Sequence, residues 1–152
     1  NLAIVVGDED AVVNGENRIP AYQEFIKENN LGEPHIYTGI RDYSDGYNLY
    51  PQLVKDGIDG VIVTRDISSV GIMNSAMDSG KKIPEDLEIV TASATQLASV
   101  VRPALTTIKQ PLYVIGAVAM RMLTKLMNNE EVDETHIELP YELVKKQSTA
   151  NR

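Results

Sequence analysis

Cysteine is absent from the 152 residues, which excludes disulfides, thiolate metal sites and cysteine nucleophiles. Histidine occurs only at His35 and His136, too few nitrogen ligands for a structural zinc site when no sulfur is available. No metal and no cofactor is expected. No window approaches about 18 uninterrupted apolar residues, so no membrane-spanning helix is expected. No basic n-region and cleavage site marks a signal peptide, although the chain opens directly on the apolar run Leu2–Val6. It has no initiator Met and reads as an excised piece. Positive charge is scarce as well: 14 Lys and Arg against 22 Asp and Glu give a net charge of −8. That argues against these residues gripping nucleic acid by themselves, because non-specific affinity comes from neutralising phosphates.

Catalytic signatures are missing too. There is no G-x-S-x-G, no GxxxxGK[ST] and no GxGxxG. Gly7 follows the first apolar run, but no second glycine stands at the required spacing. The carboxylate pairs Glu9–Asp10 and Glu85–Asp86 are neighbours in sequence and read as solvated surface. No residue combination nominates a nucleophile with its base, and the chain is not expected to be an enzyme.

With 43% hydrophobic and 24% charged residues, the composition is that of one globular domain. Short apolar runs alternate with helical periodicities. LAIVV (Leu2–Val6), HIYTG (His35–Gly39), GVIV (Gly60–Val63) and LEIVTA (Leu87–Ala92) predict strands. Leu105–Gln110 predicts an extended segment, and IELPYELV (Ile137–Val144) a last strand interrupted by Pro140. Helices are predicted over Asn17–Asn30, where Pro20 requires a start or a bend, and from Ser44 or Asp45 as N-cap through Leu49, Leu53 and Val54, with Pro51 kinking or shortening it. Three more are predicted: from Asp66 as cap to Gly80, over Thr95–Val101, and over Leu112–Asn128. The strands are too continuously apolar to be half exposed. The fold class is therefore α/β, a parallel sheet flanked by helices on both faces. Ligands of such sheets bind beyond the carboxyl ends of the strands, here the loops Gly7–Gly15, Thr64–Asp66 and Ser93–Gln96.

The segments IPEDLEIV (Ile83–Val90), LASVVRPALTTIKQPLY (Leu97–Tyr113), IGAVAMRMLTKLMNNE (Ile115–Glu130) and HIELPYELVKKQST (His136–Thr149) together resemble the C-terminal part of the LacI/GalR transcription regulators, and within them the catabolite control protein A subgroup. The resemblance implies a periplasmic-binding-protein-like (type I) lobe, a fragment of a two-lobed domain. Residues 1–107 would form most of the C-terminal lobe, residues 108–137 a crossover and helix of the N-terminal lobe, and residues 138–152 the return strand and tail, with the helix-turn-helix head absent from this chain. It further implies a cytoplasmic homodimer that binds operator DNA through that head in carbon catabolite control. Its modulators would be the serine-phosphorylated HPr phosphocarrier protein and a small sugar phosphate or similar metabolite. A solute-binding protein of the same two-lobed fold, acting in transport, is the alternative.

By the same resemblance, the corepressor protein would dock on Tyr113, Arg121 and Lys125. These stand eight and four residues apart, near one stripe of a helix, and a guanidinium binds phosphate in a fork while lysine adds a point charge. The stripe of Ile115, Val118, Ala119 and Met122 would pack inward. Without the resemblance, Arg121 and Lys125 read as solvated cations near a helix C-terminus. Effector contacts carried over are Arg18, Arg65, Asp66 and Ser93. Asp66 has a competing reading as a helix N-cap, and Arg18 as a surface or inter-lobe ion pair. Four departures from the family stand out. Val114 replaces an Asp and Glu142 replaces an Arg at partner-facing positions, and a carboxylate repels a phosphoserine. Ser93 replaces a ligand-binding Asp, and Arg65 replaces an Asn. Two cations and no such Asp point to an anionic or phosphorylated effector rather than a neutral sugar.

Overall fold

A computed structural model describes residues 1–8, 11–132 and 134–150; the Glu9–Asp10 carboxylate pair lies outside them. Six strands form one sheet in the order β2-β1-β3-β4-β5-β6: β1 (Leu2–Val5), β2 (His35–Tyr37), β3 (Gly60–Val63), β4 (Glu88–Thr91), β5 (Thr106–Lys109) and β6 (Glu142–Val144). The first five run parallel, and β6 pairs with β5 antiparallel, Thr107 opposite Val144 and Lys109 opposite Glu142. The sheet is thus mostly parallel with one reversed edge. Pro140, which lacks an N–H for the ladder, delays the last strand until Glu142.

Alternation along each strand sends side chains to both faces. Ala3, Val5, Val61, Val63 and Ile89 meet α2 (Tyr43–Lys55), α3 (Asp66–Asp78) and the short α4 (Leu97–Val100), with Tyr50, Leu53, Ile72, Met73 and Ala98 buried among them. Ile4 and Val6 point the other way, toward Tyr22 and Ile26 of α1 (Ile19–Glu28). Both faces carry helices, but unevenly. α1 is fastened over β1, its Tyr22 hydroxyl donating to the Leu2 carbonyl (2.8 Å) and accepting from the His35 N–H (3.0 Å). Beside it the sheet keeps an apolar groove of about 420 Å³, lined in part by Phe25, Ile62, Ala92 and Ile108.

Three helix starts differ from expectation. A wide, π-type turn over Val13–Arg18 runs straight into α1. Pro20, which cannot donate to the ladder, falls just past the junction where the wide turn gives way to α1. The N-cap of α2 is Asp42, not Ser44 or Asp45. Its carboxylate accepts from the Asp45 N–H while Asp45 accepts from the Asp42 N–H, a reciprocal cap that outcompetes a later start. Pro51 does not shorten α2, which continues to Lys55; its side chain is exposed. Asp66 is not the cap of α3. Arg65 holds that position, with no side-chain cap bond.

α2 and α3 approach backbone to backbone. A Cβ on Gly46 would strike the Ser68 carbonyl, and one on Gly71 the Tyr43 carbonyl. The C-terminal residues close the opposite end of the sheet. β4 and β5 pair only at Val90–Thr106 and Thr91–Thr107, and below that Ser148 fits between them. Its backbone N–H donates to the Ala104 carbonyl and its carbonyl accepts from the Ile89 N–H. Its hydroxyl donates to the Ile89 carbonyl (2.5 Å) and accepts from the Thr106 N–H (2.8 Å).

α5 (Leu112–Met127) stands apart. None of its residues is buried. Residues after it lie along one side, where Val118 and Met122 become half-buried, and Met122 lines a pocket with Val132 and Ile137. The stripe expected to face inward is only half covered: Ile115 and Ala119 remain exposed.

Candidate functional site

The carboxyl ends of β1, β3 and β4 bring three loops together. Arg65, extended at φ −126° and ψ 127°, lays its guanidinium over Gly7. A Cβ there would sit 3.0 Å from Arg65 Nε, so a larger residue would push the flexible guanidinium aside by a few tenths of an ångström. Arg18 reaches the same end of β1 from the wide turn. Its Nη1 donates to Asn14 Oδ1 (3.1 Å), and buried Asn14 donates from Nδ2 to the Asp8 carbonyl (2.7 Å). Half-burial lowers the Arg18 pKa from its ordinary value, since removal from water disfavours the charged form. Among the described residues neither Arg18 nor Arg65 has an ion pair. Arg41, by contrast, is neutralised by Asp8, with Nε 2.8 Å from Oδ1.

Ser93 and Asp66 complete the cleft differently from one another. Ser93 Oγ donates to the Thr64 carbonyl (2.8 Å), so toward the cleft it offers lone pairs only. Asp66 is 3% exposed, and its carboxylate is filled from within. Oδ1 accepts from Thr91 Oγ1 (2.5 Å), and Oδ2 accepts from the Thr95 N–H (2.6 Å) and Thr95 Oγ1 (2.6 Å). Sequence reasoning missed Asn14 and Asp8, the supports of the arginines. The four-residue spacing of Asn14 and Arg18 on one helical face was the available signal.

The second cluster lies on α5. Arg121 and Lys125, one turn apart, open on the same pocket of about 360 Å³, shared with Met122, Val132, Glu134 and Ile137. Tyr113, 89% exposed, stands about 80° round the helix from Arg121 at 100° per residue. Val114 is exposed next to it. Glu142 lies on β6, and Lys109 approaches it within 3.9 Å, so part of its charge is compensated locally. The two clusters occupy different parts of the chain. Among the described residues, no His, Asp and Glu group could hold a metal ion, and no helix is long and apolar enough to cross a membrane.

This architecture, a mostly parallel sheet with its polar clusters at the carboxyl edge, is that of a periplasmic-binding-protein-like lobe. Residues 1–149 match the periplasmic binding protein-like domain, and the chain belongs to that family. It is 65% identical over 151 residues to the HTH-type transcriptional regulator pepR1 of Lactobacillus delbrueckii subsp. lactis, covering 99% of this chain and 45% of that protein. To catabolite control protein A of Streptococcus mutans it is 37% identical, covering 97% and 45%. Among solved structures, the transcription regulator CcpA of Lactococcus lactis superposes with a TM-score of 0.91 at 36% identity, covering 99% of this chain and 56% of that one. The Lac repressor dimer bound to operator superposes at 0.86 and 25% identity, over 99% and 53%. These likenesses place the chain with the effector-binding domains of LacI-family transcription regulators; it spans a little under half the length of the curated relatives it matches.

Proposed function

We propose that the chain is the effector- and corepressor-binding part of a cytoplasmic, dimeric LacI-type regulator of carbon catabolite control. Its operator affinity would be raised when serine-phosphorylated HPr docks on α5. The observation that carries this reading is the convergence of Arg121 and Lys125 on one open pocket, with Tyr113 exposed on the same helix. A fork of donors and a point charge together suit a phosphoserine. The exposed apolar side of α5 suits a crossover helix, residues 108–137, seated on an N-terminal lobe, with residues 1–107 and 138–152 forming the C-terminal lobe.

The cleft at Arg18, Arg65 and Ser93 is the effector site in this reading, and its ligand is an anion such as a small sugar phosphate. Two guanidiniums that have no carboxylate partner among the described residues favour an anion, and the Asp66 carboxylate is occupied from within. Phosphoprotein and metabolite would each bias the same lobe arrangement, a coupling between sites.

The test is operator binding by the full-length regulator, read as fluorescence anisotropy at fixed salt, with and without serine-phosphorylated HPr. The phosphoprotein tightens operator binding, and Arg121→Ala removes the gain. Indifference of the operator affinity to the phosphoprotein would mean that Val114 and Glu142 have retired the dock. Tighter binding of an unphosphorylated sugar than of its phosphate would sink the anionic-effector reading.

A further inference from the structure

We propose that Asp66 is the positioning residue of the cleft: it touches no effector, and it holds two of the cleft's loops in their binding geometry. The inference rests on reading this cleft as the effector site. Asp66 directly follows Arg65, so whatever fixes the start of α3 also fixes where the Arg65 side chain begins its path over Gly7. The same carboxylate reaches across to the next loop, binding Thr91 at the end of β4 and both donors of Thr95. Between those anchors lie Ser93, whose hydroxyl is fastened to the Thr64 carbonyl, and Ala94.

Ala94 has φ +50°, the left-handed region that a residue with a Cβ seldom adopts. No glycine or asparagine makes that turn easy, so the surroundings must impose it. Asp66 supplies the restraint, because it holds the backbone N–H that follows Ala94. Thus one buried carboxylate links the aim of a donor, Arg65, to the placement of an acceptor, Ser93. Its own geometry leaves it no free face for a ligand. A site that is correct in composition but loose in position binds poorly, and this is the expected defect without Asp66.

The experiment compares Asp66→Ala with Asp66→Asn in the full-length regulator, using glucose 6-phosphate as the probe in calorimetric titrations. The Asn side chain can turn its oxygen to both Thr95 donors and its amide to the Thr91 hydroxyl, which can accept as readily as donate. It therefore keeps the position and removes only the charge. Asp66→Ala is expected to weaken binding about tenfold or more, while Asp66→Asn stays within about threefold of the unmodified protein. Equal weakening by both variants overturns the inference, since the charge itself would then serve the ligand; so does an unaltered Asp66→Ala.

Thr95→Val, which deletes one hydroxyl with little change of shape, guards against an Asp66→Ala variant that fails to fold, and should weaken binding by an intermediate amount. Should the unmodified regulator bind no glucose 6-phosphate, the effector reading fails on its own. Amide hydrogen exchange then decides the positioning role. Faster exchange at Ser93, Ala94 and Thr95 in Asp66→Ala, restored in Asp66→Asn and absent from β1 and β3, supports it. Unchanged exchange in that loop overturns it.

Discussion

α3 and α5 make an instructive pair. α3 reads DISSVGIMNSAMD, with three serines among its thirteen residues, yet nine of the thirteen are buried. α5 reads LYVIGAVAMRMLTKLM, far more apolar, yet none of its residues is buried. Composition therefore does not decide burial here; a complementary surface does. α3 has one because Gly46 and Gly71 let α2 come close enough for backbone contact, which shields small polar side chains as well as Ile72 and Met73. α5 keeps a broad apolar arc of Leu112, Ile115, Met120, Leu123 and Leu126 in the open, and nothing among the described residues covers it.

The widest separation between the two helices should come from cavity-forming substitutions. Ile72→Ala, at a fully buried position, should lower the unfolding free energy in urea by about 2–5 kcal/mol. Leu123→Ala in the same 152-residue chain should change it by less than about 0.5 kcal/mol. In the full-length protein Leu123→Ala should become costly, by about 2 kcal/mol or more. An equally small effect there would break the account of α5 as a helix awaiting a partner.

Glycine substitutions sharpen the contrast with opposite signs. Gly46→Ala forces the two backbones of α2 and α3 apart and should cost about 1–3 kcal/mol. Gly116→Ala in α5 meets nothing within 4 Å and should stabilise the chain by about 0.5–1 kcal/mol through helix propensity. Both are read from thermal unfolding. A destabilising Gly116→Ala in the full-length protein alone would place a neighbouring backbone against that position.

The smallest effect is titration, and it falls on the packed half. Burial, then the hydrogen bond to Asp56 (2.6 Å), holds the Tyr37 hydroxyl above its ordinary pKa, and that bond, with those from Gln52, holds the Asp56 carboxyl below its own. A raised tyrosine contributes stability below about pH 10 and loses it as pH rises toward the folded value; a lowered aspartate contributes above about pH 4 and loses it as pH falls further. Melting temperature should therefore be level between those limits. Tyr37→Phe should reduce the loss at the alkaline end, read as melting temperature against pH.

Most of the sheet was legible because buried parallel strands are apolar on both faces and their neighbours carry turn residues. Gly60–Val63 coincides with its expected span. The helix starts were less so. Asp42, Ser44 and Asp45 are all good caps, and only the reciprocal bond between the first and last selects Asp42. Pro51 does not shorten α2, which runs on to Lys55. The direction of the last strand was not readable, because a two-stranded antiparallel return leaves the same alternation as a parallel edge. At the cleft, the arginines and Ser93 could be named but their supports could not. Asp66 looked like a cap or a contact, and its three bonds go to residues 25 and 29 positions away, a separation no local pattern reveals.

Ser148 carries a consequence for how the protein comes into being. It joins Ile89, 59 residues earlier in the chain, to Thr106, 42 residues earlier. During synthesis β4 and β5 have only their two direct pairs, and the bridge beyond them waits until Ser148 has left the ribosome. At about 5–20 residues per second, the sheet waits several seconds for its last piece. Contacts of such long sequence separation also fold slowly, so a nascent chain halted before residue 148 should be a preferred client of chaperones and proteases.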